Sequence, residues 1–186
     1  MTKAEDIQVE LEFTPNPDTL KYATALTLLP NGVANYANAK EAEEASPLAI
    51  KLFALGNIKA IMIGKNFVSI TIIDQNAMAE INDKIIQTIQ EHLASGERVV
   101  LQTKKEAASN LTEIEQKIVD ILDKEIRPAV AMDGGDIAFE KYEDGYVYLK
   151  MQGACAGCPS AMMTLKQGVE TRLKEAVPEI VEIIPV

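Results

Sequence analysis

Gly153-Ala154-Cys155-Ala156-Gly157-Cys158-Pro159 holds the only two cysteines in a chain of 186 residues. The reading of this stretch decides both the local fold and the chemistry. Proline is favoured at the first helical position, so Pro159 predicts a helix start and places Cys158 near its N-cap. Exposed amides and the positive end of a helix favour an anion there. Cys155 lies three residues earlier, in a loop that Gly153 and Gly157 make permissive. Ala154 and Ala156 leave room for a bulky ligand close to the backbone. The thiolate is the form that binds metal or attacks an electrophile, so the expectation is two thiolates side by side in an electropositive pocket.

Ligand counting extends this reading. Structural zinc takes four ligands, and iron–sulfur clusters are held by four cysteines. One chain offers two cysteines, and its single histidine, His92, belongs to the other half of the sequence. Two chains related by a two-fold axis would supply four thiolates to one shared site, and a site built from half-sets opens when the dimer loosens. On spacing alone, Cys-x-x-Cys is equally a dithiol redox motif, with a purely structural role as a third reading. A thioredoxin-like motif is expected early, after the first strand of a βαβ pattern and often beside an aromatic. This one comes late and has no adjacent aromatic.

Outward from the cysteines, Met162, Leu165, Val169, Leu173 and Ala176 recur at helical spacing, and Ile180 to Ile184 suits a short last strand. Upstream, Ile137–Phe139 and Val147–Met151 alternate around Asp144-Gly145, a good hairpin turn. Thr112 and Glu115 are spaced as a capping box. Leu111, Ile114, Ile118, Ile121, Leu122 and Ile126 form an apolar stripe that Arg127-Pro128 is expected to end. The order αββαβ puts the cysteines between a strand end and a helix start.

The first half uses the same vocabulary. Ile7, Val9, Leu11 and Phe13 alternate with polar residues as a half-buried strand. Thr14-Pro15-Asn16-Pro17-Asp18 breaks it, and Leu20 to Leu29 reads as a second strand. Asn38 to Ala45 is polar and reads as loop. Ser46-Pro47 opens a short helix that Gly56 closes. Ile58–Ile63 and Phe67–Ile73 flank Gly64-Lys65-Asn66 as a hairpin. Met78, Ile81, Ile85, Ile89 and Leu93 mark a helix. The expected fold is therefore α+β in two small domains, ββαββα over residues 1–101 and αββαβ over 111–186, joined by a flexible linker at 102–110.

Composition narrows the function classes. Eighteen Lys and Arg against 28 Asp and Glu leave a formal charge of −10, which argues against nucleic acid and anionic membranes as partners. No apolar run reaches the ~18 residues of a membrane span. Met1 to Glu12 lacks the features of a secretory signal or a transit peptide. This predicts a cytoplasmic protein, where thiols stay reduced and Cys-x-x-Cys is metal-binding or catalytic rather than a structural disulfide.

Beyond the cysteines, Met132-Asp133-Gly134-Gly135-Asp136, Gly153 through Ser160, Thr164 through Glu170 and Val177-Pro178-Glu179 strongly resemble the NifU C-terminal domain, the iron–sulfur module of Nfu-type proteins. Thr14 through Lys21, Ser46-Pro47-Leu48-Ala49 with Leu52-Phe53, Gly64 through Val68, and His92 through Gly96 resemble the Nfu N-terminal domain. The resemblance implies an iron–sulfur cluster carrier or scaffold. Such a protein accepts a cluster from upstream donors and delivers it to apo iron–sulfur client proteins. The cluster would be [4Fe-4S] or, alternatively, [2Fe-2S], bridging a homodimer. Cys155 and Cys158 match the family's cluster ligands.

No Ser/His/Asp arrangement, phosphate loop or acid pair stands out, so a non-enzymatic role is expected. A thiol oxidoreductase is the competing class. Asp133-Gly134-Gly135-Asp136 reads as a turn that needs glycine backbone angles, or as a support lying behind the cluster. Met163 lies off the apolar stripe and suits either packing or the cluster rim. His92 reads as a helix-end cation or cap, with a ligand role as the lesser alternative, and the Asn16 loop as a proline turn or a client-docking element.

Overall fold

The computed structural model describes residues 3–101, 111–156 and 159–186; of the side chains at 159–162 and 164–165 nothing is described. The chain divides into two compact units, residues 1–104 and 105–186. The expected linker at 102–110 lies outside the described residues.

The first unit is a five-stranded antiparallel sheet in the order β1-β2-β5-β4-β3. Its strands are β1 (Val9–Phe13), β2 (Thr19–Thr24), β3 (Ala34–Tyr36), β4 (Ile58–Ile63) and β5 (Phe67–Ile72), with helices α1 (Ala39–Ala42), α2 (Pro47–Phe53) and α3 (Met78–Ser95). Alternate strand residues Leu20 and Tyr22, Ile61 and Ile63, and Val68, Ile70 and Ile72 share one buried cluster with Leu48 and Leu52 of α2 and Ile81, Ile85 and Ile89 of α3. Ser46 caps α2 by accepting the Ala49 amide at 3.1 Å, and it donates to the Val99 carbonyl at 2.7 Å.

The expected ββαββα framework is present, with two additions and two corrections. Strand β3 and helix α1, capped by Asn38, occupy stretches that lack a usable apolar period. The second strand ends at Thr24, because its partner β5 starts at Phe67, opposite Ala23. Leu28 and Leu29 are buried as loop, both giving their amides to the Lys65 carbonyl, at 2.7 and 3.3 Å. Phe13, expected on the half-buried face, is 83% exposed at the end of an edge strand.

The second unit comprises α4 (Glu113–Ile121), a π-helical turn (Leu122–Ile126), α5 (Arg127–Met132), β6 (Gly135–Glu143), β7 (Tyr146–Gly153), α6 (Pro159–Ala176) and β8 (Glu182–Pro185). β6 and β7 form an antiparallel hairpin, and β8 runs parallel to β7. The Thr112–Glu115 capping box is made in both directions. Asp144 and Gly145 turn the hairpin with φ of 51° and 86°. Ile118, Leu122, Val130, Ile137, Leu149, Val169, Leu173 and Ile183 share the core. Ala176, expected on the buried stripe, is exposed, and Val177 is buried in its place.

The expected helix end at Arg127-Pro128 is corrected. The helix continues to Met132 through the π turn, in which the Arg127 amide reaches back to the Leu122 carbonyl. A π turn absorbs one extra residue and shifts the helical phase. Proline is then tolerated at the start of the following turn, where its missing amide costs little.

Candidate functional site

The site is built where α5, β6 and β7 meet. α5 ends at Met132, and the chain turns through Gly134, whose φ of 75° suits a residue without a side chain. Gly135 then opens β6 directly opposite Gly153, the last residue of β7. The loop beyond β7 is tied back by three amides: Ala154 to the Gly134 carbonyl at 3.0 Å, Cys155 to Gln152 at 3.2 Å, and Ala156 to Gly153 at 3.1 Å. Gly134 and Gly135 are thus packed against Gly153 and the loop that follows it.

Cys155 is 5% exposed and belongs to the same buried cluster as Met151 and Val130. Its side chain occupies the space a side chain on Gly135 would need. A methyl built on Gly135 would lie 3.0 Å from the Cys155 nitrogen, 3.2 Å from its Cβ, and closer still to Sγ. Gly135 is therefore the shelf on which the cysteine sits. Between the two readings offered for Asp133-Gly134-Gly135-Asp136, this geometry makes the segment both a turn and the direct support of the Cys155 loop. Cys158, the second expected ligand, lies outside the described residues, as does Gly157. The electropositive pocket expected around both thiolates rests on them. Where the structure does describe the surroundings, Cys155 is enclosed by apolar core.

Asp136, next along β6, is buried and gripped by Arg127. The guanidinium donates from Nε to Oδ1 at 2.9 Å and from Nη2 to Oδ2 at 3.0 Å, and its Nη1 reaches Asp123 at 2.9 Å. Such a two-point fork fixes orientation as well as distance. This pair was missed in the sequence, because the residues stand nine apart across a helix end expected to come earlier. The x-Arg-Pro element followed by Gly-Gly-Asp was its only visible trace.

His92 is corrected from a helix-end cap to a core residue, 1% exposed. Lys51 Nζ lies 3.1 Å from its Nδ1 and 2.6 Å from Glu97. An ammonium can only donate, so Nδ1 is the acceptor in the Lys51 contact, and Nε2 has no hydrogen-bond partner among the described residues. Burial first, then the Lys51 ammonium, hold this imidazole below its ordinary range, against the Glu97 carboxylate. Among the described residues, no group of three or more His, Cys, Asp and Glu is placed to hold a metal ion. Met163 is 78% exposed, off the packed stripe as expected. Asn16 is buried and accepts the Asp18 amide at 3.0 Å, as a proline-flanked turn requires.

Comparison with known proteins places both units. A model of the Nfu/NifU scaffold-protein N terminus matches residues 7–96, and a model of the NifU-like domain matches 118–184. Proteins named "NFU1 iron-sulfur cluster scaffold homolog, mitochondrial" are similar along nearly the whole chain. That of Drosophila grimshawi is 35% identical over 92% of this chain and 59% of its own. That of Drosophila erecta is 36% identical over 92% and 62%, and that of Drosophila ananassae 33% over 97% and 64%. The chain thus spans about three fifths of the length of these relatives. Their designation as mitochondrial overturns the expectation of a cytoplasmic protein. That expectation rested on Met1 to Glu12, which lack the features of a secretory signal or a transit peptide, and the relatives' names outweigh it. With a matching model on each unit, the chain belongs to the Nfu-type family, a family of scaffold proteins rather than of enzymes.

Proposed function

We propose that the chain is an iron–sulfur cluster scaffold and carrier. Its cargo is a [4Fe-4S] cluster, with [2Fe-2S] as the lesser alternative. Cys155 and Cys158 from each of two protomers hold it, and it passes to apo-proteins that need a cluster. The observation that carries this reading is the seating of Cys155 on Gly135, within the NifU-like match and three residues from the only other cysteine. The names of the relatives support the cargo, and the ligand count supports the pair of protomers. A thiolate bound to iron is neutralised by the metal, so an enclosed, apolar seat suits a ligated cysteine better than a bare one. Delivery follows from the half-site design: separation of the protomers leaves each with two thiols, too few to retain the cargo.

The test is anaerobic incubation of the full chain with ferrous iron and sulfide. A brown dimer with broad visible absorption is expected, with the cluster type read by Mössbauer spectroscopy and the stoichiometry by native mass measurement. Either Cys155→Ala or Cys158→Ala should abolish stable uptake, and the loaded protein should activate a cluster-dependent apo-enzyme. A colourless monomer that reduces disulfides with turnover would sink the reading in favour of a thiol oxidoreductase. A single-cysteine variant that keeps full iron and sulfide would remove that cysteine from the site.

A further inference from the structure

We infer that Arg127 and Asp136 are positioning residues for Cys155: their ion pair is a clamp that holds the Gly134–Gly135 shelf under the cysteine loop. The inference rests on the cluster reading for its purpose, and on geometry for its existence. Asp136 directly follows Gly135 in β6 and pairs in register with Gln152, whose carbonyl accepts the Cys155 amide. Its carboxylate, 3% exposed, is held by two guanidinium bonds of 2.9 and 3.0 Å, with Arg127 itself 17% exposed. On the other side, Gly134 supplies the carbonyl that takes the Ala154 amide. The shelf is thus gripped from both ends: by α5 through the ion pair, and by the loop through the Ala154 amide on the Gly134 carbonyl.

The π turn makes this grip possible. Arg127 opens the helical segment that follows it, and from there it reaches both Asp123, one turn back, and Asp136, across the strand start. In an unbroken α-helix the extra residue would be absent and every later side chain would rotate by about 100°. π turns recur at functional sites, and here the turn aims a guanidinium at the strand that carries the cysteine shelf. Arg127 also balances the buried negative charge of Asp136, which stands one residue from the seat of an anionic thiolate-ligated cargo. Residues that orient ligands in this way typically change metal retention by about 10- to 100-fold.

The experiment uses the full chain with Cys158→Ser, so that Cys155 is the single thiol. Its alkylation by N-ethylmaleimide is timed well below the melting temperature. In this background Asp136→Asn and Arg127→Gln should each speed labelling by about tenfold or more. Arg127→Lys, which keeps the charge and loses the fork, should fall between. The double variant should be no faster than the singles, because the pair acts as one unit. Ile183→Val, which loosens the core at the far end of β7, is the reference. Equal acceleration per degree of lost melting temperature in that variant would reduce the pair to ordinary stability and overturn the inference. So would labelling rates within twofold of the parent in the clamp variants. If Asp136→Asn does not fold, Arg127→Lys carries the decision by the same criteria. With both cysteines restored, Asp136→Asn should shorten the half-time of cluster loss to an iron chelator by about tenfold. A parent chain that takes up no cluster, beside clamp variants that still accelerate labelling, would refute the cargo reading and leave the clamp standing.

Discussion

Gly135→Ala tests the central packing observation most directly. The added methyl would fall 3.0 Å from the Cys155 backbone nitrogen and 3.2 Å from its Cβ, whereas such atoms rest at about 3.5–4.0 Å. A flexible side-chain tip could step aside, but here the nearest groups are a backbone amide tied to Gln152 and a cysteine enclosed by core. The loop or the strand start must therefore move by several tenths of an ångström. Forcing a methyl into a packed interior costs about 1–3 kcal/mol. In a unit of under 100 residues each kcal/mol lowers the melting temperature by roughly 4–8 °C, so the second unit should melt roughly 4–24 °C lower. Gly168→Ala supplies the opposite sign. It lies within α6 with nothing within 4 Å of the added methyl, so alanine should stabilise by about 0.5–1 kcal/mol. Scanning calorimetry of the metal-free full chain measures both. If Gly135→Ala melts within about 1 °C of the parent and takes up iron and sulfide in full, the shelf has no structural role and the reasoning fails.

Three further outcomes are expected. His92 prefers the neutral form in the fold, because its pKa is lowered by burial and Lys51. Above the unfolded value of about 6.5 that preference is free, and below it the unfolded state gains a proton that the folded state resists. Urea midpoints of the first unit should therefore fall as pH drops from about 6.5 toward the folded pKa; His92→Gln should flatten that slope, and an unchanged slope would remove His92 as its cause. Ser46→Ala removes both the α2 cap and the buried donor to the Val99 carbonyl, and should cost about 2–4 kcal/mol in denaturant titration. Gly145→Ala should destabilise the second unit, since its φ is 86° and the new methyl would meet the Glu179 carbonyl at 3.0 Å; Asp144→Gly, at φ 51°, should be close to neutral in the same titration.

Much of the fold was legible where physics is local. The stripe of Ile81, Ile85 and Ile89, the Ser46 and Thr112 caps, and the Asp144-Gly145 turn each depend on residues within a few positions. Strand β3 was not legible, because three residues cannot display a period and its formation depends on β4 lying alongside. The helix through Arg127-Pro128 was missed because the proline rule is local, while the π turn that accommodates it serves a guanidinium bound to Asp136. His92 looked like a helix-end cation, but the α2 and α3 packing encloses it beside Lys51.

The same division holds at the site. By itself the sequence determined that there are two cysteines, three residues apart, next to a helix that starts at Pro159. Ligand arithmetic then gave the expectation that they are half of a site. Tertiary structure alone decided that Cys155 is enclosed rather than open. It also decided that Gly135 is glycine because a sulfur occupies its side-chain space, and that Asp136 is held by an arginine from a preceding helix. The reason is physical. Thiol count and helix start are properties of neighbouring residues, whereas a shelf and a clamp exist only when a helix end, a strand start and a strand end converge.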